Sequence, residues 1–192
     1  MRKLIAAINM TLDGFCDHEA GIADDELHEH YSELLKSAGV ILYGRITYQL
    51  MEYWLTVLEN PTGDKATDEF AAVIDKVPKI VFSHTLKNVD PATDPVTARW
   101  KSARLARRGL EEEVAALRQE PGQDIFVGSP SLIAALTKLN LIDEYQLCIH
   151  PVIAGSGLPL FKNITDKIVL KLLKTKTLGS GAVVFYYEPT KK

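Results

Sequence analysis

Long apolar runs, an excess of one charge, and cysteine are all scarce in this chain of 192 residues. Its continuous apolar stretches, such as Leu4-Ile5-Ala6-Ala7-Ile8, are far shorter than the roughly 18 residues a membrane helix requires. No N-terminal stretch joins a basic segment to an apolar run of signal-peptide length, so a protein neither secreted nor membrane-bound is expected. The 22 basic and 25 acidic residues leave a net charge of -3, without the basic face that nucleic-acid binding needs. Two cysteines, Cys16 and Cys148, make no disulfide scaffold, and a chain this long buries enough core without one, so a reducing cytoplasm is expected. With 46% hydrophobic and 24% charged residues the composition is that of an ordinary globular protein, here read as one domain over residues 1–192.

Familiar chemical motifs are missing too. There is no G-x-G-x-x-G, no G-x-x-x-x-G-K-[ST] and no G-x-S-x-G, which excludes the usual dehydrogenase, P-loop and hydrolase signatures. His28 and His30 lie two apart on a helix and face different ways. Cys148 and His150 share a strand face without further ligands at metal spacing, so no metal site is expected.

What is present is an alternation of short apolar strands and amphipathic helices. Leu4–Ile8 reads as a buried central strand, Asp25–Ser37 as a helix with an acidic first turn, and Val40–Tyr43 as a second strand. A helical pattern (Tyr48, Met51, Trp54) follows it. The stretch from Thr56 to Lys76 reads as a loop with a short helix near Phe70–Ile74, before a strand at Lys79–Phe82. Val96–Leu105 is predicted as one extended strand, Leu110–Leu117 as a helix, Asp124–Val127 as a buried strand, and Leu132–Leu139 as part of a helix. The last third (Tyr145–Ile153, Lys167–Lys176, Val183–Tyr187) is extended, with glycine turns at 155–157 and 179–181, and its successive strands are expected to pair antiparallel. The predicted class is α/β, a mainly parallel mixed sheet closed by an antiparallel edge.

Ligands of open α/β sheets sit beyond the carboxyl ends of the parallel strands. Three predicted strands end in small polar residues there: Gly44-Arg45-Ile46-Thr47, Ser83-His84-Thr85 and Gly128-Ser129-Pro130-Ser131. The first and third also open helices, whose free N–H groups attract anionic oxygen. Arg45 adds a guanidinium fork suited to a phosphate monoester, which favours NADP over NAD.

In order and spacing, several segments resemble the dihydrofolate reductase superfamily, in its stand-alone branch similar to the C-terminal reductase domain of the riboflavin-biosynthesis deaminase-reductase. They are Leu4–Ala7 with Leu12-Asp13-Gly14-Phe15, Tyr43–Tyr48, Val127-Gly128-Ser129 with Leu132, Leu141–Tyr145, and His150–Gly157 with Leu160-Phe161. The likeness spans nearly the whole chain. It implies a three-layer fold with a mainly parallel sheet of about eight or nine strands, flanked by helices and ending in a C-terminal antiparallel hairpin. NADPH would lie across the strand ends.

By position, the resemblance gives Arg45 the adenosine 2′-phosphate, Thr47, Gly128 and Ser129 the pyrophosphate next to Gly44, Ser83 and His84 the adenosine side, and the Ala7 backbone the nicotinamide carboxamide. Where dihydrofolate reductases carry a carboxylate on the first long helix, this sequence places His28, with Asp25 and Glu29 nearby. His28 is therefore the candidate proton donor, and Asp13 and Tyr31 are candidates for the substrate side. The absence of a zinc deaminase signature (H-x-E with P-C-x-x-C) argues against a bifunctional riboflavin enzyme. The leading expectation is an NADPH-dependent reductase passing hydride to a small heterocyclic (pteridine-, pyrimidine- or flavin-like) or carbonyl substrate. Rivals are a true dihydrofolate reductase using Asp25 or Glu29, and a non-catalytic dimeric ligand-binding protein. The branch suggests a homodimer, for which Tyr48, Tyr53 and Trp54 are candidate interface residues.

Overall fold

The computed structural model describes residues 1–86, 89 and 100–190. Its strands are β1 (Leu4–Thr11), β2 (Ala38–Gly44), β3 (Lys79–Phe82), β4 (Ala103–Leu105), β5 (Asp124–Val127), β6 (Glu144–His150), β7 (Leu170–Thr177) and β8 (Val183–Pro189). The helices are α1 (Asp25–Lys36), α2 (Arg45–Met51), α3 (Tyr53–Glu59), α4 (Lys65–Lys76), α5 (Leu110–Gln119) and α6 (Pro130–Lys138). One sheet holds all eight strands in the order β4-β3-β2-β5-β1-β6-β8-β7. The five contacts from β4 to β6 are parallel, and β8 runs antiparallel to both β6 and β7.

β1 is central because Leu4 to Ile8 are apolar at every position, and both faces of the sheet bury them. Leu4, Ala6 and Ile8 face one core layer with Val114 of α5 and Ile133 of α6; Ile5 and Ala7 face the other with Leu34 of α1, Phe70 of α4 and Tyr48 of α2. Three layers result, as the resemblance implied. Among the described residues no helix is long and apolar enough to cross a membrane.

Several expectations need correction. The Thr56–Lys76 stretch is mostly helical: α3 runs on to Glu59 and α4 begins at Lys65. Only a short turn separates them, because Asp64 caps α4 by accepting the Thr67 N–H at 2.7 Å, while Asp68 accepts the amides of Thr62 and Gly63. The single helical pattern through Tyr48, Met51 and Trp54 is two short helices joined at Glu52. Of the strand expected over Val96–Leu105, positions 96–99 lie outside the described residues, and β4 covers only Ala103–Leu105. β6 stops at His150, where the Val152 N–H turns back to the His150 carbonyl. Finally β6 and β7 do not pair with each other, because β8 inserts between them.

Candidate functional site

β1, β2, β5 and β6 end along one edge of the sheet, and a cavity of about 780 Å³ opens there. Ala7, Thr47, Gly128, His28 and Tyr31, five of the residues singled out from sequence, line it. Gly44 and Ser129 stand just behind the wall and lock two strand ends together: the Gly44 N–H donates to the Ser129 hydroxyl at 2.8 Å, and Ser129 is buried. A Cβ on Gly44 would touch Ser131 Oγ at 3.4 Å, so the ends of β2 and β5 approach closely.

These two strand ends open α2 and α6, and neither helix start is occupied. No side chain caps α2 at Gly44 or α6 at Ser129, and neither helix has an acidic residue in its first turn. By contrast α1 is capped by Asp24, α4 by Asp64, and α5 carries three glutamates in its first turn. Two neighbouring helix starts with free N–H groups thus face the cavity without a compensating carboxylate. Arg45, the first residue of α2, is exposed and lies outside the cavity wall, its guanidinium donating to the Gln49 side chain at 3.2 Å. Ser83 and His84 also lie outside the wall; the Ser83 hydroxyl accepts the amides of Thr85 and Leu86 and so forms a turn at the end of β3.

Asp13 does not line the cavity either. Its carboxylate accepts the Thr11 hydroxyl at 2.6 Å and the amides of Ala154 and Gly155, which together hold its pKa down to about 2. It is a positioning residue that ties the loop after β1 to the loop after β6. Asp17 repeats the device by accepting the Leu158 N–H at 2.7 Å, and Cys16 N–H meets the Leu158 carbonyl. The two sequence segments Leu12–Phe15 and Pro151–Gly157 are therefore facing halves of one structure, and Phe15, Leu158 and Pro159 carry it into the cavity wall.

Gly157 is required in this pair of loops. Its φ of +145° suits glycine, and a Cβ there would stand 2.0 Å from Asp17 Oδ2 and 3.3 Å from Phe15 Cβ. Gly157→Ala is expected to cost about 1–3 kcal/mol and to lower the affinity of any cavity ligand, as urea unfolding and titration would show. Unchanged stability would mean that the loops give way freely.

On the α1 side the cavity acquires its polar groups. His28 Nδ1 lies 3.2 Å from the Thr67 hydroxyl. Thr67 is also the residue whose backbone N–H Asp64 accepts at 2.7 Å, and it is the main cause holding Asp64 below its usual pKa. The Thr67 hydroxyl thus occupies Nδ1, and Nε2 is left without a protein partner among the described residues. The His28 ring packs against Trp54 (centroids 5.5 Å apart) and Phe70 (5.8 Å). Tyr31 donates to Asn9 Oδ1 at 2.9 Å, and burial raises its phenol well above the ordinary range. Asp25 and Glu29, the carboxylates a folate reductase would use here, are not in the wall.

Sequence reasoning missed Trp54 as a wall residue and Thr67 as a partner of His28, because both depend on α3 and α4 packing over α1. It also passed over His150, which lines the cavity from the end of β6. Its Nδ1 accepts the Ile22 N–H at 3.1 Å, which puts the proton on Nε2, 3.8 Å from Cys148 Sγ. Burial pushes the Cys148 thiol up to about 12 and Cys16 to about 11, so neither is poised as a thiolate nucleophile. Of the aromatic residues offered to an interface, Tyr48 is buried in the core and Trp54 belongs to the cavity, while Tyr53 is exposed.

The RibD C-terminal domain model matches residues 2–184. The uncharacterized protein YyaP of Bacillus subtilis is 33% identical over 97% of this chain and 94% of its own length. Among solved structures, a Shewanella sp. PV-4 protein named for riboflavin biosynthesis superposes with a TM-score of 0.71 at 19% identity, covering 98% of this chain and 99% of that one. A diaminohydroxyphosphoribosylaminopyrimidine deaminase/5-amino-6-(5-phosphoribosylamino)uracil reductase of Thermotoga maritima gives 0.67 at 16% identity; this chain is covered to 98%, but only 57% of the larger protein is matched. These likenesses and the eight-stranded mixed sheet agree, and the chain belongs to the RibD C-terminal domain family, with its dihydrofolate reductase-like fold.

Proposed function

We propose that the chain is a reductase that uses NADPH to reduce a small heterocyclic or carbonyl substrate. Membership of a reductase family supports the coarse reading, since the T. maritima relative acts on a pyrimidine. The finer reading rests on one observation: two uncapped, acid-free helix starts, held side by side by the Gly44–Ser129 hydrogen bond, face a cavity large enough for a dinucleotide end and a ring.

In this reading the α2 and α6 starts, with Thr47, Gly128 and Ser129, hold the pyrophosphate. Arg45, having only Gln49 to release, turns to the 2′-phosphate, and Ser83 and His84 flank the adenosine. The Ala7 backbone orients the carboxamide. NADPH, when bound, supplies the hydride. The rest falls to the protein's own groups. The apolar wall excludes water, Tyr31 is fixed by Asn9, and His28 presents Nε2 to donate a proton or hydrogen-bond the substrate. A folate reductase resting on Asp25 or Glu29 is disfavoured, since neither reaches the cavity. The proposal keeps the chain as a single cytoplasmic domain. It moves the homodimer contact from Tyr48 and Trp54 to the outer strands, where Phe185 and Tyr187 stack beside the exposed Leu172.

Thermal unfolding with NADPH, NADH and no ligand tests the cofactor. NADPH at a hundredfold excess over its dissociation constant should add about 2.7 kcal/mol, NADH less, and Arg45→Ala should abolish the difference. No shift with either nucleotide would refute the cofactor assignment and leave the non-catalytic ligand-binding reading.

A further inference from the structure

The cavity has two chemically distinct ends. One is the anion-seeking pair of helix starts already described. The other, enclosed by α1, α2, α3 and α4, is walled by Tyr31, Leu34, Leu35, Met51, Trp54 and Phe70. Trp54 and Phe70 meet edge to face with centroids 4.4 Å apart. Within this wall His28 is the polar group that retains a free hydrogen-bonding atom, because Tyr31 is committed to Asn9.

This end offers no positive charge from its wall. Lys162 is the only lysine or arginine among the described residues lining the cavity. It follows Leu160, which packs in the α5–α6 layer, whereas Trp54 and Phe70 belong to the α1–α4 layer on the other side of the sheet. Lys36 of α1 is paired with Glu69 at 2.5 Å, and Lys65 acts on the same Glu69. The carboxylates of α1 and of the start of α4 lie outside the cavity wall: Asp24 accepts from Leu27 and Ser180, Asp64 from Thr67 and Asp68 from Thr62 and Gly63, while α3 contributes the uncharged Trp54. A phosphate brought here would leave water for an apolar, aromatic wall that supplies no lysine or arginine, an unfavourable transfer. A flat uncharged ring meets aromatic faces and edges instead, which reward its burial.

We propose that the substrate is a planar, uncharged aromatic heterocycle without a phosphate group. Its ring packs against Trp54 and Phe70, and a ring N–H or carbonyl pairs with His28 Nε2. This deepens the reductase reading and separates the chain from relatives whose named substrate carries a phosphoribosyl group.

Riboflavin and its 5′-phosphate differ only by the phosphate, which makes them a suitable pair of probes, and lumazine serves as a smaller uncharged ring. Calorimetric titrations of each, with and without excess NADP⁺, should show riboflavin or lumazine binding and the phosphate ester weaker than riboflavin by at least about tenfold. Trp54→Ala should weaken riboflavin by about tenfold while leaving the NADPH-induced thermal shift unchanged, so failure here is distinguishable from failure of the cofactor assignment. Leu50 lines the cavity at 37% exposure, and Leu50→Arg supplies the missing cation without disturbing the core. It should tighten the phosphate ester by about fivefold and leave riboflavin within about twofold. Equal or tighter binding of the phosphate ester by the wild-type protein, or no binding of either uncharged ring, overturns the proposal.

Discussion

Between pH 7 and pH 4 the folded protein should lose about 3 kcal/mol of stability through one histidine on α1, His30. The ring is 5% exposed, packed against Tyr31 with centroids 5.2 Å apart. Burial pushes its pKa from 6.5 down to about 4; Lys176 and Lys174 of β7 add to the effect, and Glu33 opposes it. The unfolded chain therefore takes up a proton at a pH where the folded chain refuses it. The contribution is complete above pH 6.5 and drains away as pH falls toward 4. His150 is shifted in the same direction by burial, against the opposing charge of Asp24, and adds to the slope. His30→Phe should fill the small adjoining cleft beside Glu33, Gln146 and Tyr186 and flatten the curve by about 3 kcal/mol over this range. Urea unfolding of both proteins as a function of pH measures it, and parallel curves would show that the imidazole titrates freely. The result matters for function because His28 lies two residues away. Repeating the activity assay in the His30→Phe background separates a loss of activity in mild acid from this loss of stability.

Much of the scaffold could be read from local pattern. The unbroken apolar run of β1 forced a central strand, and the acidic first turns announced α1 and α5. The polar strand ends of β2 and β5 located the cavity because helix starts and close glycine approach are written in adjacent residues. What escaped depended on contacts distant in sequence. Asp13 reads as an exposed acid beside a glycine, and only the return of Ala154 and Gly155 shows that its oxygens are already engaged. Thr67 becomes relevant to His28 only when α4 packs on α1. Arg45, Ser83 and His84 were placed by resemblance at the cofactor's adenosine end, and they stand outside the cavity wall at the ends of β2 and β3. The insertion of β8 between β6 and β7 left no local mark, because hydrophobic alternation does not specify which neighbour a strand chooses.

Arg104→Met should unfold at a temperature roughly 10 °C lower than the wild type, a loss of about 3 kcal/mol for a chain of this size. The cause is Glu113 on α5. Its carboxylate is almost wholly buried and is held by the Arg104 guanidinium at 2.6 Å, with the Arg107 N–H at 3.3 Å on the other oxygen. Methionine keeps much of the aliphatic stem of Arg104 but takes away the cation, leaving a buried carboxylate with a single long amide contact. Glu113→Met should cost less, because Arg104 is 38% exposed at its side chain and can turn to water. The double variant should recover most of the loss, since two apolar side chains leave no buried charge unpaired. Additive losses would instead mean that each side chain acts through its own packing. The consequence reaches the proposed adenosine side. β4 is a three-residue edge strand, and Arg104 is its link to α5. β4 in turn is the outer neighbour of β3, whose end carries Ser83 and His84. If those residues flank bound NADPH, Arg104→Met should weaken NADPH binding even at temperatures where the fold persists, and the double variant should restore it.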